Sequence, residues 1–486
     1  MNEIIYENAT NLADKISAGE LSSEEVVKSF IKQIKKYNSR INAVVTLNEK
    51  QALKNAKLAD RALKNKESIG PLHGVPFTVK DSFQTRGVKT TSACKLLGDY
   101  IPDQDAEVVK RLLNAGAILL AKTNLPKLAM DTQSDNKIFG ATNNPWNIKY
   151  TAGGSSGGEA AAVASGMSPL GIGSDIGGSV RIPAHFCGVY ALKPTNDLVP
   201  MQGHIPPLPQ QANYVRHLAT AGPITRSLND LELAFQVISN SNQSSSEYPP
   251  LELPQAKAKP LNQLKIAWNL DFGDLPLSAT TEEQIKKLVS KLEAAGCTIE
   301  KAKPRELSIE DIWTAYGNLF GSMLSANIPA PLRYLLRIFG PLLFKDTISK
   351  ATARGATGKI KHYFQYLENQ EHLISRMDNF FEKYDVWLSP VTPAPAFVHR
   401  KMNKIHTPVI IKGKKVPGNI AAIGITSISN LTGNPSLTIP LTLAENNLPI
   451  GVQLTGPRWH EAKLFAAARQ IKSLIPDLSP PLLEDK

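Results

Sequence analysis

Residues 151–194 read TAGGSSGGEAAAVASGMSPLGIGSDIGGSVRIPAHFCGVYALKP, a sharp change of composition from the flanking chain. Two glycine and hydroxyl clusters stand out. Gly153-Gly154-Ser155-Ser156-Gly157-Gly158 leads into an alanine-rich helix, and Gly173-Ser174-Asp175-Ile176-Gly177-Gly178-Ser179 follows a short strand at 170–172. Glycine lets backbone come close to a ligand and adopt conformations closed to other residues, so that backbone N–H groups can point into a cavity. The turn from Ile176 to Ser179 is therefore a candidate oxyanion hole. Either cluster alone reads as a flexible loop. Two such clusters, with Ser155 and Ser179 24 positions apart, are harder to read that way.

Outward from this stretch, helices and strands alternate. A β-type run at 75–79 follows the break at Gly70 and Pro71 and leaves Lys80 at a strand end. A helix at 107–115 stops at Gly116, and a short apolar strand follows at 117–121. The order returns with a strand at 265–269, a helix at 281–295 and a strand at 298–301. Later strands are expected at 386–389, 437–440 and 452–455, and a last helix near 461–471. Upstream, Ser22 and Glu25 stand in capping-box spacing before Val26, Val27, Phe30, Ile31 and Ile34 at helical period, and a second helix covers 48–65. The alternation implies an α/β protein, an α/β/α layered fold around a central mixed sheet. Weak boundaries at 240–260 and 392–417 are polar or proline-rich, and one continuous sheet with an insertion is favoured over two independent domains.

Composition narrows the function. Net charge is +12, which would favour anionic partners, but the basic residues form short groups such as Lys32, Lys35, Lys36 and Lys412, Lys414, Lys415 with acids interleaved. A solvated basic surface is expected, and no nucleic acid partner. Cys94, Cys187 and Cys297 are too few and too far apart for a disulfide framework or a zinc site, so no metal is expected and the thiols are read as reduced and buried. The N-terminus MNEIIYENATNLADK has no apolar run typical of a secretory signal, and no eighteen consecutive residues are apolar. A cytoplasmic location is expected.

Neither glycine cluster matches a phosphate-binding loop, and Gly355-Ala356-Thr357-Gly358-Lys359 has the wrong glycine spacing. Gly153-Gly154-Ser155-Ser156-Gly157 does satisfy G-x-S-x-G, so an α/β-hydrolase esterase using Ser155 is one alternative. That enzyme needs a strand immediately before the serine, whereas residues 144–152 read as loop, and its histidine would have to be His399, His406 or His460.

The order of three elements, Lys80, GGSSGG with Ser155 and D-x-GGS-x-R-x-P with Ser179, resembles the amidase signature family, most closely the fatty acid amide hydrolases. The resemblance runs from about Gly70 to the end and is densest in IFGATNNPW, GGSSGGE, SPLGIGSDIGGSVRIP and FCGVYALKPT. It implies a serine amidase without cofactor. Ser179 would be the acyl-enzyme nucleophile, Ser155 a bridging serine after a cis peptide bond from Gly154, and Lys80 the general base. Backbone N–H groups of Ile176, Gly177, Gly178 and Ser179 would hold the oxyanion. Ala129 and Met130 would line the carbonyl side of the pocket, with core packing as their plainer reading. Asp175 and Arg181 are expected to pair and fix the nucleophile turn.

The chemistry is coherent: a serine hydroxyl is a weak nucleophile unless a neighbour takes its proton, and a lysine can do so only when neutral. Burial beside the apolar run at 76–79 would lower the Lys80 pKa, and Asp81 would oppose this if it pointed inward. Cys187 is read as core. Lys127, Ala152 and Ala191 depart from residues usual in the family and leave the pocket's shape open.

The resemblance implies one amidase domain over 1–486, with N-terminal helices at 1–65, a core at about 70–240 and an insertion with a helical cap at about 305–385. The family also includes the A component of a glutamine-dependent tRNA amidotransferase, a second reading of the function. The segment 328–344, IPAPLRYLLRIFGPLLF, places Leu332, Leu335, Leu336 and Phe339 at helical spacing with Arg333 and Arg337 beside them. Its plain reading is a buried core helix. The other is a cap over an acyl channel that makes peripheral membrane contact, since fatty acid amide hydrolases carry such a cap, and it would bring lipid-like amides as substrates. A homodimer is a further expectation.

Overall fold

The computed structural model describes residues 3–67, 69–211, 215, 217–239, 253–255, 259–305, 307–325, 328–401 and 407–483. His406 and most of the polar stretch at 240–260 lie outside the described residues.

In chain order the strands are β1 (Val44–Leu47), β2 (Pro76–Lys80), β3 (Ile118–Thr123), β4 (Asn143–Asn144), β5 (Asn147–Thr151), β6 (Leu170–Asp175), β7 (Tyr190–Lys193) and β8 (Thr220–Thr225). They continue with β9 (Lys265–Trp268), β10 (Thr298–Lys301), β11 (Val386–Pro390), β12 (Val409–Ile411), β13 (Lys414–Val416), β14 (Ser436–Leu443) and β15 (Pro449–Thr455). Eleven of them form one sheet in the order β1-β3-β2-β6-β8-β7-β14-β15-β11-β9-β10. The sheet is mixed: β2 runs parallel to β3 and β6, and β9 parallel to β10 and β11, while the middle strands pair antiparallel. Helices cover it, so the fold is the expected α/β architecture.

Local chemistry explains why these elements form. In the helix Ser23–Ile41 the Ser22 side chain accepts the Glu25 N–H at 3.1 Å, satisfying a free donor of the first turn. Its Val26, Val27, Phe30, Ile31 and Ile34 are buried against the sheet. Strand β2 is buried along its length because it has neighbours on both sides, which is why it reads as a mostly apolar run without alternation. Strand β6 extends beyond the expected 170–172 through Ser174 to Asp175, since β8 pairs with it from Leu170↔Thr225 to Asp175↔Thr220. The first three residues of the second glycine cluster, Gly173 to Asp175, are thus strand, not loop.

The helix Gly157–Ala164 is wholly buried and its small residues let it lie on the strands. A Cβ on Gly158 would meet Asn124 N at 2.4 Å, and one on Gly171 would meet Glu159 Oε2 at 2.1 Å. A second hydrophobic core lies under the helices Ile309–Ser325 and Ile360–Lys383. There the helices Ile309–Ser325 and Thr347–Ala356 touch backbone to backbone: Cβ atoms on Gly321 and Gly355 would meet Thr352 O and Asn318 O at 2.0 Å. Gly355, from the run compared with nucleotide loops, is a packing residue.

The helix Ala330–Leu343 overturns the core reading of its segment. Leu332, Leu335 and Phe339 are each about half exposed, and Leu342 and Leu343 more so. It packs on Thr347–Ala356, and a Cβ on Gly340 would meet Ala353 Cβ at 3.0 Å. Among the described residues no helix is long and apolar enough to cross a membrane, and no group of three or more His, Cys, Asp or Glu is placed to hold a metal.

Candidate active site

Lys80, the last residue of β2, reaches beneath the first glycine cluster. Its Nζ lies 2.6 Å from Ser155 Oγ and donates to Ser174 Oγ, on β6, at 2.9 Å. The side chain is fully buried, and burial pulls its pKa down to about 7, with Asp175 and Glu159 opposing the shift. Asp81 is not the opposing charge. It accepts from Thr91 N at 3.0 Å and Thr91 Oγ1 at 2.6 Å and faces Lys122 at 3.5 Å.

Glu159 closes the floor of the site. Its carboxyl accepts from Thr78 Oγ1 of β2 at 2.7 Å and Thr123 Oγ1 of β3 at 2.6 Å, over Gly171, which leaves room for it. Burial pushes its pKa up to about 8, against the two threonine hydrogen bonds and the charges of Lys80 and Lys122.

The peptide bond between Gly154 and Ser155 is cis, as the resemblance implied. Ser179 is joined to the same loop through the backbone, Ser156 N donating to Ser179 O at 3.1 Å. The turn carrying it is held from several sides. Tyr316 Oη donates to Ile176 O at 3.1 Å, and Thr426 Oγ1 donates to Gly177 O. Asp175 and Arg181 pair at 2.9 Å with neither exposed. The guanidinium also reaches Thr426 O, Ser429 Oγ, Gln453 Oε1 and Asn430 Oδ1. Burial alone would raise the Asp175 pKa, but Arg181 and the hydrogen bonds from Asn430 and Val180 N outweigh it and hold the carboxyl well below its usual range.

Gly178 departs from its expected part. Its N–H donates to Asp175 Oδ1 at 2.7 Å, which leaves the amides of Ile176, Gly177 and Ser179 as candidate oxyanion donors.

Ser179 opens into a cavity of about 330 Å³. Ala129, Met130, Ile176 and Gly177 line its inner end, and Met130 is 42% exposed, so its side chain is not core. Tyr316, Phe320 and Leu324 form one wall, Ile348, Thr352, Ala353 and Ala356 another, and Leu336 and Phe344 of the exposed helical segment reach the same space. A smaller cavity on the other side of Ile176 touches Ser155, Ser174 and His204.

The esterase alternative gains nothing from this geometry. Ser155 is partnered by a lysine, and the strand before it, β5, pairs with β4 in a separate two-stranded sheet and bridges to Val398, outside the central sheet. Cys187 is buried, and burial pushes its thiol pKa far up, so it is core. Sequence reasoning passed over Ser174, hidden in the glycine cluster, and His204, which lies in a loop with no motif around it.

A buried lysine, a serine after a cis bond and a second serine on a glycine turn are the parts an amide-cleaving serine enzyme needs, and the amidase family model matches residues 25–465. The chain belongs to the amidase family. It is therefore an amidase, of the class that acts on carboxamide C–N bonds. Among its relatives, an A component of the glutamyl-tRNA(Gln) amidotransferase of Clostridium acetobutylicum is 32% identical, covering 97% of this chain and 99% of that protein. The A component of the same amidotransferase from Prochlorococcus marinus is also 32% identical, covering 95% and 96%. A bacterial aryl acylamidase structure superposes with a TM-score of 0.83 at 25% identity, over 97% of each chain. Fatty acid amide hydrolase superposes with a TM-score of 0.81 over 97% of this chain and 85% of that one. At 24% identity this likeness shows the fold alone. The expected special likeness to fatty acid amide hydrolases is thus corrected, since the relatives by sequence named above are amidotransferase A components.

Proposed function

We propose that this amidase cleaves carboxamides through an acyl-enzyme on Ser179, with Ser155 as proton bridge and neutral Lys80 as general base, and that its substrates carry an extended apolar group. The observation that carries the reading is the cavity beside Ser179. Among its described lining residues the one charged group is Asp131, already paired with Arg400. Glutamine would bring an α-ammonium and an α-carboxylate, and desolvating them without partners is costly. An acyl chain or aryl group would instead bury against Phe320, Leu324, Leu336 and Phe344.

In acylation the Ser179 hydroxyl passes its proton to Ser155 Oγ as the oxygen bonds the carbonyl carbon. The Ser155 proton passes to Lys80 Nζ. The proton then returns by the same path to the leaving nitrogen as the C–N bond breaks, and water repeats the cycle on the ester. The exposed apolar helix Ala330–Leu343, with Arg333 and Arg337, fits a cap that rests on a lipid surface.

A second reading is favoured by sequence. Relatives 32% identical across nearly the whole chain are named as amidotransferase A components, so on sequence grounds a glutamine-using component is the better supported alternative, and the cavity speaks against it. Assay of the purified single chain separates them. Hydrolysis that improves from acetamide to long-chain or aryl amides, with glutamine inert, supports the proposal. Glutaminase activity that appears only with partner proteins and tRNA would replace it with the second reading.

A further inference from the structure

Beyond the three residues assigned above, Lys80 has one further fixed partner, and that partner has another. Lys80 Nζ donates to Ser174 Oγ at 2.9 Å, Ser174 Oγ lies 2.9 Å from His204 Nε2, and His204 Nδ1 lies 3.1 Å from Pro206 O. All three side chains are buried. A carbonyl oxygen only accepts, so the ring hydrogen sits on Nδ1 and Nε2 carries a lone pair. Burial, with Lys80 nearby, pulls the ring pKa down to about 3, which keeps it neutral.

These facts fix the direction of the hydrogen bonds from Pro206 to Lys80. The Ser174 hydroxyl gives its hydrogen to His204, so its oxygen faces Lys80 as an acceptor only. A neutral lysine has two N–H groups and one lone pair. With an N–H held on Ser174, the lone pair is kept off that side and free to turn to Ser155, whose proton it must receive. A ring protonated on Nε2 would reverse the chain, turning the Ser174 hydrogen onto the lone pair of Lys80 and blocking it.

The loop bearing His204 is also tied to the residues that follow Lys80. Gln84 N donates to Gly203 O at 2.9 Å, Ile205 N donates to Ser82 O at 2.7 Å, and the rings of Phe83 and His204 meet edge to face at 4.9 Å.

We infer that His204 is a positioning residue which, acting through Ser174, aims the lone pair of Lys80 at Ser155. The inference rests on the assignment of Lys80 as base and Ser179 as nucleophile. The arm exchanges no proton with substrate and suits both states of the lysine, because a charged Lys80 also needs an acceptor at Ser174.

The test is steady-state hydrolysis of an acyl p-nitroanilide by Ser174→Ala, Ser174→Thr, His204→Leu, His204→Gln and the Ser174→Ala, His204→Leu double variant. Melting temperatures are measured alongside. Ser174→Ala and His204→Leu should each lower kcat by about 10- to 100-fold with KM within about twofold, a range usual for residues that orient a catalytic group. Ser174→Thr keeps the hydroxyl and His204→Gln keeps an acceptor, so both should retain most of kcat. The double variant should be no slower than the worse single one, because both changes break one chain. Full kcat in Ser174→Ala, or losses that multiply in the double variant, would overturn the inference. If His204→Leu does not fold, the Ser174 pair decides alone. Ser179→Ala separates the two levels: full activity in it sinks the underlying assignment, whereas an inactive Ser179→Ala beside an unimpaired Ser174→Ala sinks only the aiming role.

Discussion

Lys80 Nζ sits 2.6 Å from Ser155 Oγ, with both residues closed off from water. A charged ammonium in that place has lost its hydration, and the neutral amine that results is a base at neutral pH. This one relationship makes the site's behaviour depend on pH in a definite direction.

The proposed base, Lys80, acts in its deprotonated form, and its pKa is drawn down to about 7. Activity should therefore rise with pH, with kcat/KM half-maximal near 7 and falling about tenfold per unit well below it. Lys80→Arg, which stays charged, should be inactive across the range. A kcat/KM profile for an acyl anilide between pH 5 and 9 checks this, and a flat acid limb would remove Lys80 from the base role.

The relay makes a second prediction. Ser179→Ala should abolish turnover and labelling by a fluorophosphonate, while Ser155→Ala and Lys80→Ala should each remain folded with rates lowered by several orders of magnitude. The double change at Lys80 and Ser155 should cost little more than the worse single one. Wild-type hydrolysis by Ser179→Ala is the outcome that ends the mechanism.

Arg181 tests what holds the nucleophile turn. Arg181→Met leaves Asp175 buried with its strongest partner gone, and breaking such a pair from one side costs about 3–5 kcal/mol. Urea unfolding should show that loss, together with reduced activity, because Asp175 also accepts from Gly178 N at 2.7 Å and Val180 N at 3.1 Å. A loss below about 1 kcal/mol, the scale of a surface pair, would mean the turn is held by its other contacts.

The helix Ala330–Leu343 makes the prediction about surfaces. Wild-type protein should sediment with anionic liposomes, and Leu335→Glu with Phe339→Glu should stay in the supernatant with its hydrolysis of a soluble amide nearly intact. Wild type that remains in the supernatant removes the lipid surface from the proposal and leaves the cavity argument standing.

The sequence was informative where one residue type has one physical use. Pro76–Lys80 and Ile118–Thr123 are legible because strands with neighbours on both sides are buried at every position and so are mostly apolar. The strand Thr220–Thr225 was not: TAGPIT has no alternation, and it is a strand because β6 and β7 lie on either side of it. Lys80, Ser155 and Ser179 were found through their motifs. His204 meets Ser174 across 30 residues and Ser174 meets Lys80 across 94, a meeting that the adjacency of β2 and β6 creates and no local pattern records. The hydrogen bond from the Gly178 amide to Asp175 likewise leaves no mark in the local sequence. The segment 328–344 reads either as core helix or as cap in the sequence, because apolar spacing reports which face is greasy, never what covers it.

The glycine contacts between Ile309–Ser325 and Thr347–Ala356 also set limits on how this enzyme can change. Each of these helices supplies one wall of the cavity beside Ser179, and at Gly321 and Gly355 they already touch main chain to main chain. The two walls have no room to close further, and moving them apart would open the second core between them. Altered substrate breadth is therefore most accessible through Leu336 and Phe344, where a side chain can be exchanged without disturbing a backbone contact. A lineage selecting for new amides, or an engineer imitating one, would find its permissive positions there.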